Sequence, residues 1–372
     1  MPGPLDTLRV VEFAGLGPAP LAGQLLADLG AEVTVIDKAS GPAMPSDVNR
    51  RGKRSVALNL KSVDGHAIAL ALIRQSDVLI EGFRPGVMER LGLGPEACQD
   101  RLIYGRMTGW GQTGPMAQVA GHDITYLARS GVLSLLATPD GPPRPPLNLV
   151  ADYGGGTMML LYGLMAALFA RGVTGRGQVV DAAMVDGVPA QMGLLHGLMA
   201  QGNWPGAPGT NWLDGGAPFY RCYRCADGRD VAVGALEPQF YALLVKGLGW
   251  ELDALPEQND GASWPAMTAR FAAVFAAQDR DHWTAVFAGS DACVEPVLSL
   301  DEAERDPHLA TRGVYLRRDG VRQAAAAPRF SATQAKDVPQ PGAPGGDTDA
   351  VLATLGYDPT RIAGLRAAGA LT

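Results

Sequence analysis

Leu8-Arg9-Val10-Val11-Glu12-Phe13-Ala14-Gly15-Leu16-Gly17-Pro18 opens with a strand-like apolar run and closes on a glycine turn. From Pro20 to Leu29, Leu21, Gln24, Leu25 and Asp28 are spaced to give a helix two faces. Gly30 supplies a C-terminal stop. Ala31 to Ile36 reads as a second strand ending at Asp37. Strand, glycine turn, helix and strand make one βαβ unit. Outward from it, Gly65 to Gln75 reads as a helix, with Asp77 to Ile80 and Leu102 to Met107 as further strands. The first 110 residues therefore predict an open parallel α/β sheet. Downstream, Tyr220–Tyr223 and Asp230–Val233 flank Asp227-Gly228, a hairpin signal.

The chain has 372 residues, enough for two domains or three. It is 47% apolar and 19% charged, which excludes a disordered chain. Its net charge of −7 argues against a nucleic-acid partner, whose phosphates favour a basic surface. The longest apolar run, Thr157 to Ala170, is short for a bilayer, so no membrane partner is expected. Met1-Pro2-Gly3-Pro4 carries no secretory pattern, and four cysteines do not make a disulfide scaffold. The expectation is a soluble, cytoplasmic protein.

Gly15-x-Gly17 between strand and helix, with Asp37 twenty residues beyond Gly17, has the layout of a dinucleotide fingerprint. The third glycine is missing, however, and Lys38 follows the acid. A nicotinamide or flavin site, a plain turn and a site for another adenine nucleotide all stay open. Four other constellations bear on chemistry. Five cations between positions 50 and 61 (Arg50, Arg51, Lys53, Arg54 and Lys61) read as a local anion site or as a solvated loop. Arg84 and Arg90, in and behind Glu81-Gly82-Phe83-Arg84-Pro85-Gly86-Val87, leave the C-terminal end of a predicted strand, where open α/β sheets bind ligands. His122 and Asp123 follow the glycine-rich loop 108–115. Asp152 precedes Gly154-Gly155-Gly156 at the start of the apolar run, where a carboxylate either caps the helix or stands ready for chemistry. Cys222-x-x-Cys225 lacks the further ligands zinc needs, so no metal is expected.

Together these motifs resemble the family III CoA-transferase superfamily and, within it, the α-methylacyl-CoA racemases. The superfamily resemblance rests on Arg51-Gly52-Lys53-Arg54-Ser55, Leu58-x-Leu60-Lys61, Arg84-Pro85-Gly86 and Met107-Thr108-Gly109-Trp110-Gly111. The racemase resemblance rests on Gly121-His122-Asp123, Asp152-x-Gly154-Gly155-Gly156, Asp214-Gly215-Gly216-Ala217-Pro218 and Gly234 to Phe240. It implies an interlocked homodimer with a Rossmann-like α/β large domain and a smaller α+β domain. Here that gives residues 1–198 as the first part of the large domain, 199–219 as linker, 220–315 as small domain, and 316–372 as linker and return to the large domain.

The same resemblance implies an acyl-CoA substrate and no separate cofactor, since CoA belongs to the substrate. CoA would be held by Lys38, Leu58, Leu60, Arg84, Arg90, Gly154 and Gly155. His122 and Asp152 would be acid/base groups on opposite faces of the substrate's α-carbon, which is what inverting that centre by proton transfer requires. Glu237 and Asp123 would position or charge-stabilise His122. The activity implied is interconversion of (2R)- and (2S)-2-methylacyl-CoA through an enolate. The alternative is CoA transfer, with Asp152 as nucleophile. Backbone N–H groups near Gly154–Gly156 would stabilise the enolate oxygen, and Met184, Met192 and Met199 could line an acyl surface.

Overall fold

A computed structural model describes residues 3–138, 141–204, 206–335 and 337–372. Met1 and Pro2 of the N-terminal reading, and positions 205 and 336 within the two expected linkers, lie outside the described residues.

The chain forms two compact units: residues 1–130, 146–191 and 312–372 make the first, and residues 131–145 and 192–311 the second. The first contains β1 (Arg9–Phe13), α1 (Pro18–Asp28), β2 (Glu32–Asp37), β3 (Lys53–Ala57), α2 (Val63–Arg74), β4 (Val78–Glu81), α3 (Val87–Arg90), β5 (Ile103–Thr108) and α4 (Asp123–Arg129). It continues through α5 (Met159–Thr174), β6 (Val179–Ala183) and α6 (Met184–Ala190). The strands form one parallel sheet in the order β3-β2-β1-β4-β5-β6. The order reverses direction between β1 and β4, which is where open α/β sheets bind ligands. Apart from Arg9, every residue of β1 and β4 is buried, and all but Glu12 and Glu81 of these are apolar, as central parallel strands require.

α1 starts earlier than predicted. Pro18 occupies its first turn, where a missing N–H costs nothing, and Gly17 before it takes φ +74°. Ser62 caps α2, its Oγ accepting the Gly65 N–H at 3.0 Å. The apolar helix is longer than its fourteen-residue core suggests. A π-helical lead-in, Leu149–Met158, runs straight into α5, giving a 26-residue helix that holds an 18-residue window of mean hydropathy 1.4. By length and composition that run could cross a membrane, so shortness is no argument against it.

β3 is the largest departure from expectation, because Lys53 and Arg54 lie in a sheet strand and four of the five cations, all but Lys61, are paired with acids. Arg50 is bidentate to Asp37 at 3.1 and 2.7 Å, and Arg51 to Asp28 at 3.0 and 2.6 Å. Lys53 Nζ lies 2.8 and 2.6 Å from the Glu12 carboxylate and donates to the Pro20 carbonyl at 2.8 Å. Arg54 pairs with Glu32. Each acid sits in β1, α1 or β2, so the cations clamp the sheet edge to its neighbours. Burial pushes the Glu12 carboxyl up and the Lys53 ammonium down, and each partner opposes that drift in the other.

The second unit holds α7 (Gly193–Ala200), β7 (Tyr220–Arg224), β8 (Asp230–Gly234), α8 (Pro238–Gly247), α9 (Trp264–Phe275), α10 (Arg280–Phe287), β9 (Val294–Pro296), α11 (Leu300–Arg305) and α12 (Pro307–Thr311). Its antiparallel sheet runs β7-β8-β9, and the predicted hairpin is present with Gly228 at φ +76°. Phe219, Tyr223, Phe271, Phe275 and Trp283 build an aromatic core beneath it. Asp214 of the Asp-Gly-Gly-Ala-Pro motif knots a loop, accepting N–H bonds from Gly209, Asn211 and Gly216. The chain then returns to the first unit with β10 (Tyr315–Arg318), β11 (Val321–Ala324), α13 (Thr348–Thr354) and α14 (Pro359–Ala367). Asp347 Oδ2 accepts the Ser55 N–H at 2.9 Å, and Thr348 Oγ1 accepts that of Ala57 at 3.2 Å, seating α13 on β3.

Candidate active site

Two cavities lie along the C-terminal edge of the parallel sheet, and Phe83 lines both. The larger, about 520 Å³, is walled by the loops that leave β1 (residues 16–19), β4 (82–85) and β5 (108–110). His122, Tyr126 and Asp152 also line it. The smaller, about 440 Å³, is lined by residues at the ends of β1, β2 and β3, with Lys38 and Lys61 beside apolar Leu58, Leu60 and Leu91.

The larger cavity is shaped by hydrogen bonds between its walls. Thr157 Oγ1 donates to the Pro18 carbonyl at 2.8 Å, joining the π-helical segment to the start of α1. Gln118 Nε2 donates to the Pro85 carbonyl at 2.9 Å, joining the loop before His122 to the loop after β4. Buried Glu81 accepts the Phe83 N–H at 2.7 Å and the Arg106 Nε–H at 2.9 Å, while Arg106 also reaches Glu89 at 2.7 Å. Burial raises the Glu81 carboxyl above its ordinary value despite the nearby guanidinium. Gly109 and Gly121 are glycines because the Tyr126 ring lies against both. A Cβ would stand 2.1 Å from that ring at Gly109 and 2.5 Å at Gly121. Tyr126 in turn meets Trp110 edge to face at 4.8 Å.

His122 and Asp152 come together here from α4 and the π-helical segment. His122 directly precedes α4, and Thr125 Oγ1 accepts its N–H at 2.9 Å while donating to its carbonyl at 2.7 Å. Asp152 is not the helix cap that one reading allowed. It lies three residues inside a segment that begins at Leu149, with Asn148 before it. Asp123 is buried, and its Oδ2 accepts the N–H groups of Ala151 at 2.9 Å and Asp152 at 2.8 Å. The Asp152 carboxyl is raised above its ordinary value, by burial first and by Asp123 second. A hydrogen bond from the Asn148 side chain and the nearby His122 pull the other way. A carboxyl raised in this way is suited to carrying a proton.

The other expected site residues are distributed unevenly. Lys38, Leu58 and Leu60 line the smaller cavity, and Arg84 the larger. Arg90 closes α3 on the surface and lines neither; its Nη1 folds over Gly86. Gly154 and Gly155 face α6 instead of a cavity: a Cβ would lie 2.9 Å from Gln191 Oε1 at Gly154 and 2.9 Å from the Val188 backbone nitrogen at Gly155. The Gly154–Gly156 run lets α6 approach closely, and none of its three residues lines either cavity. Met184 does line the larger cavity, whereas Met192 and Met199 belong to the second unit. Glu237 is exposed at the head of α8 in the second unit, near enough to help raise the Cys293 thiol. Sequence reasoning missed Asn148, Tyr126 and Phe83. Only Tyr126, three residues into α4 and close behind two glycines, left any trace in the pattern.

The dinucleotide reading fails on two counts. Asp37 is committed to Arg50 and Ser55, so no carboxylate is free for a ribose. Pro18 and Pro20 remove N–H groups from the first turn of α1, where a pyrophosphate would need them. Among the described residues no cluster of His, Cys, Asp and Glu could hold a metal ion.

The switch-point cavity thus holds a histidine and an aspartate whose carboxyl is raised, beside a second cavity lined by two lysines. The chain belongs to CoA-transferase family III, whose family model matches residues 5–349. It is 49% identical over 315 residues to the mouse protein named alpha-methylacyl-CoA racemase, covering 84% of this chain and 82% of the relative. It is 48% identical over 317 residues to the human protein of the same name, covering 84% and 82%. The crystal structure of a CAIB/BAIF family protein from Brucella suis superposes with a TM-score of 0.81 at 26% identity, covering 95% of this chain and all of that one.

Proposed function

We propose that the chain is an α-methylacyl-CoA racemase that inverts the carbon next to a CoA thioester by two-base proton transfer. The observation carrying this reading is the raised Asp152 carboxyl sharing one cavity with His122. His122 in its neutral form takes the α-proton of one epimer, and protonated Asp152 returns a proton to the opposite face. For the other epimer the roles exchange. Between the two steps the substrate is an enolate. The adenine nucleotide of CoA lies in the smaller cavity, its phosphates near Lys38 and Lys61, with Arg84 toward the thioester. CoA enters as substrate, and no further cofactor takes part.

The same proposal includes a cytoplasmic homodimer in which the second copy supplies Glu237. Its support is an exposed apolar stripe on the long helix: Met158, Tyr162, Met165, Phe169 and Val173 recur at three- and four-residue spacing. Tyr162, Phe169 and Val173 are each more than 70% exposed. A second copy covering that stripe removes it from water, and also accounts for an apolar helix that would otherwise suit a bilayer.

CoA transfer needs Asp152 as a nucleophile but has no use for His122. Proton NMR of a single-epimer 2-methylacyl-CoA in heavy water separates the two. Loss of the α-hydrogen together with configuration, without any acceptor acid, supports the racemase. A stable α-hydrogen, with CoA passing to an added carboxylate, would replace it with the transferase.

A further inference from the structure

Asp123 makes no use of its carboxylate toward the histidine it follows. Oδ2 reaches across to the Ala151 and Asp152 N–H groups at 2.9 and 2.8 Å, and Oδ1 is buried with no hydrogen-bond partner among the described residues. The residue is 5% exposed and starts α4 one position after His122. A helix leaves its first N–H groups unpaired, and here a residue from another element takes two of them. One peptide bond thus separates His122 from the group that grips the Asp152 backbone.

We infer that Asp123 is a positioning residue, a strut that fixes the separation of the two acid/base groups across the substrate's α-carbon. This rests on the two-base reading. Inversion needs both groups within hydrogen-bond reach of one carbon from opposite sides, and an error near 1 Å in such geometry costs about 100-fold in rate. Thr125 holds the His122 backbone and Asp123 holds that of Asp152, so the first turn of α4 organises both partners.

The strut also carries a charge. The groups facing the Asp152 carboxyl are Asp123, His122 and Tyr126 from α4 and Asn148 from its own segment. Gly17, which precedes α1, is close as well: a Cβ there would stand 3.9 Å from Asp152 Oδ2. Asp123 is negative, so it disfavours ionisation of Asp152. Removing its charge while keeping an oxygen acceptor lets Asp152 ionise at lower pH, and the singly protonated pair that catalyses then persists to lower pH. The acid limb of the kcat/KM profile moves down.

The test compares kcat, KM and the pH profile in both epimeric directions for Asp123→Asn, Asp123→Ala and Asp152→Asn. Asp123→Asn keeps an oxygen for the two N–H groups. It retains most of kcat and shifts the acid limb to lower pH. Asp123→Ala loses the clasp, and kcat falls about 100-fold in both directions while KM stays within about twofold. Near-normal kcat in a folded Asp123→Ala enzyme overturns the strut. So does an Asp123→Asn enzyme whose acid limb stays in place, and that result remains decisive if the alanine variant does not fold. Asp152→Asn is the control for the underlying reading: normal racemisation there overturns the two-base reading itself, whatever the Asp123 variants do.

Discussion

The cationic run Arg50–Arg54, which leads into β3, and the pair His122–Asp152 both read as sites in the sequence, and they behave oppositely in the fold. In the run every side-chain charge meets an opposite charge, and the Lys53–Glu12 pair is about 98% buried on both sides. At Asp152 the neighbour with the larger influence is another carboxylate, and the group borders an open cavity. Charges that neutralise one another locally hold structure together. A charge whose surroundings disfavour it, on a surface a ligand can reach, is available for chemistry.

Mutations on the two sides sharpen that contrast, beginning with the largest effect. His122→Ala and Asp152→Ala should each cut racemisation by roughly 10²–10⁴-fold, while calorimetry finds the melting temperature nearly unchanged. Lys53→Met should act in reverse. It strands a buried Glu12 carboxylate, costing about 3–5 kcal/mol of stability, and the fraction still folded should keep its kcat/KM. Adding Glu12→Leu should recover much of that stability, because a matched apolar pair replaces a buried ion pair at little cost. A stable Lys53→Met enzyme with weakened CoA binding would return the strand to the functional side.

Gly109→Ala tests the cavity wall. Its new Cβ would meet the Tyr126 ring at 2.1 Å, so overpacking of about 1–3 kcal/mol is expected. KM and kcat should then change together as Tyr126 is displaced beside Asp152. The smallest effect belongs to Lys38→Ala, an exposed charge at the rim of the smaller cavity. KM for acyl-CoA should rise severalfold, equivalent to about 1 kcal/mol or less, with kcat unchanged. The difference from wild type should shrink as salt screens the phosphates.

Much of the fold was legible in the sequence, because parallel strands write themselves as apolar runs punctuated by glycine. β1, β2, β4 and β5 fall within a residue or two of their sequence positions. β3 was hidden because its residues, Lys53-Arg54-Ser55-Val56-Ala57, look like a solvated loop until Glu12, Glu32 and Asp37 are placed beside them in space. The candidate site was legible through rare residue types next to glycine loops, which singled out His122, Asp123 and Asp152. The roles of Asp123 and of the Gly154–Gly156 run were not. A hydrogen bond across 28 residues and a close helix crossing are long-range facts that local pattern does not encode.

The most direct test of the two-base account is α-hydrogen wash-in from heavy water, measured separately for each epimer in the Asp152→Ala and His122→Ala enzymes. The account predicts that each variant exchanges the hydrogen of one epimer without inverting it, and that the two variants act on opposite epimers. Exchange of both epimers by either variant, or inversion by one of them at the wild-type rate, would contradict it.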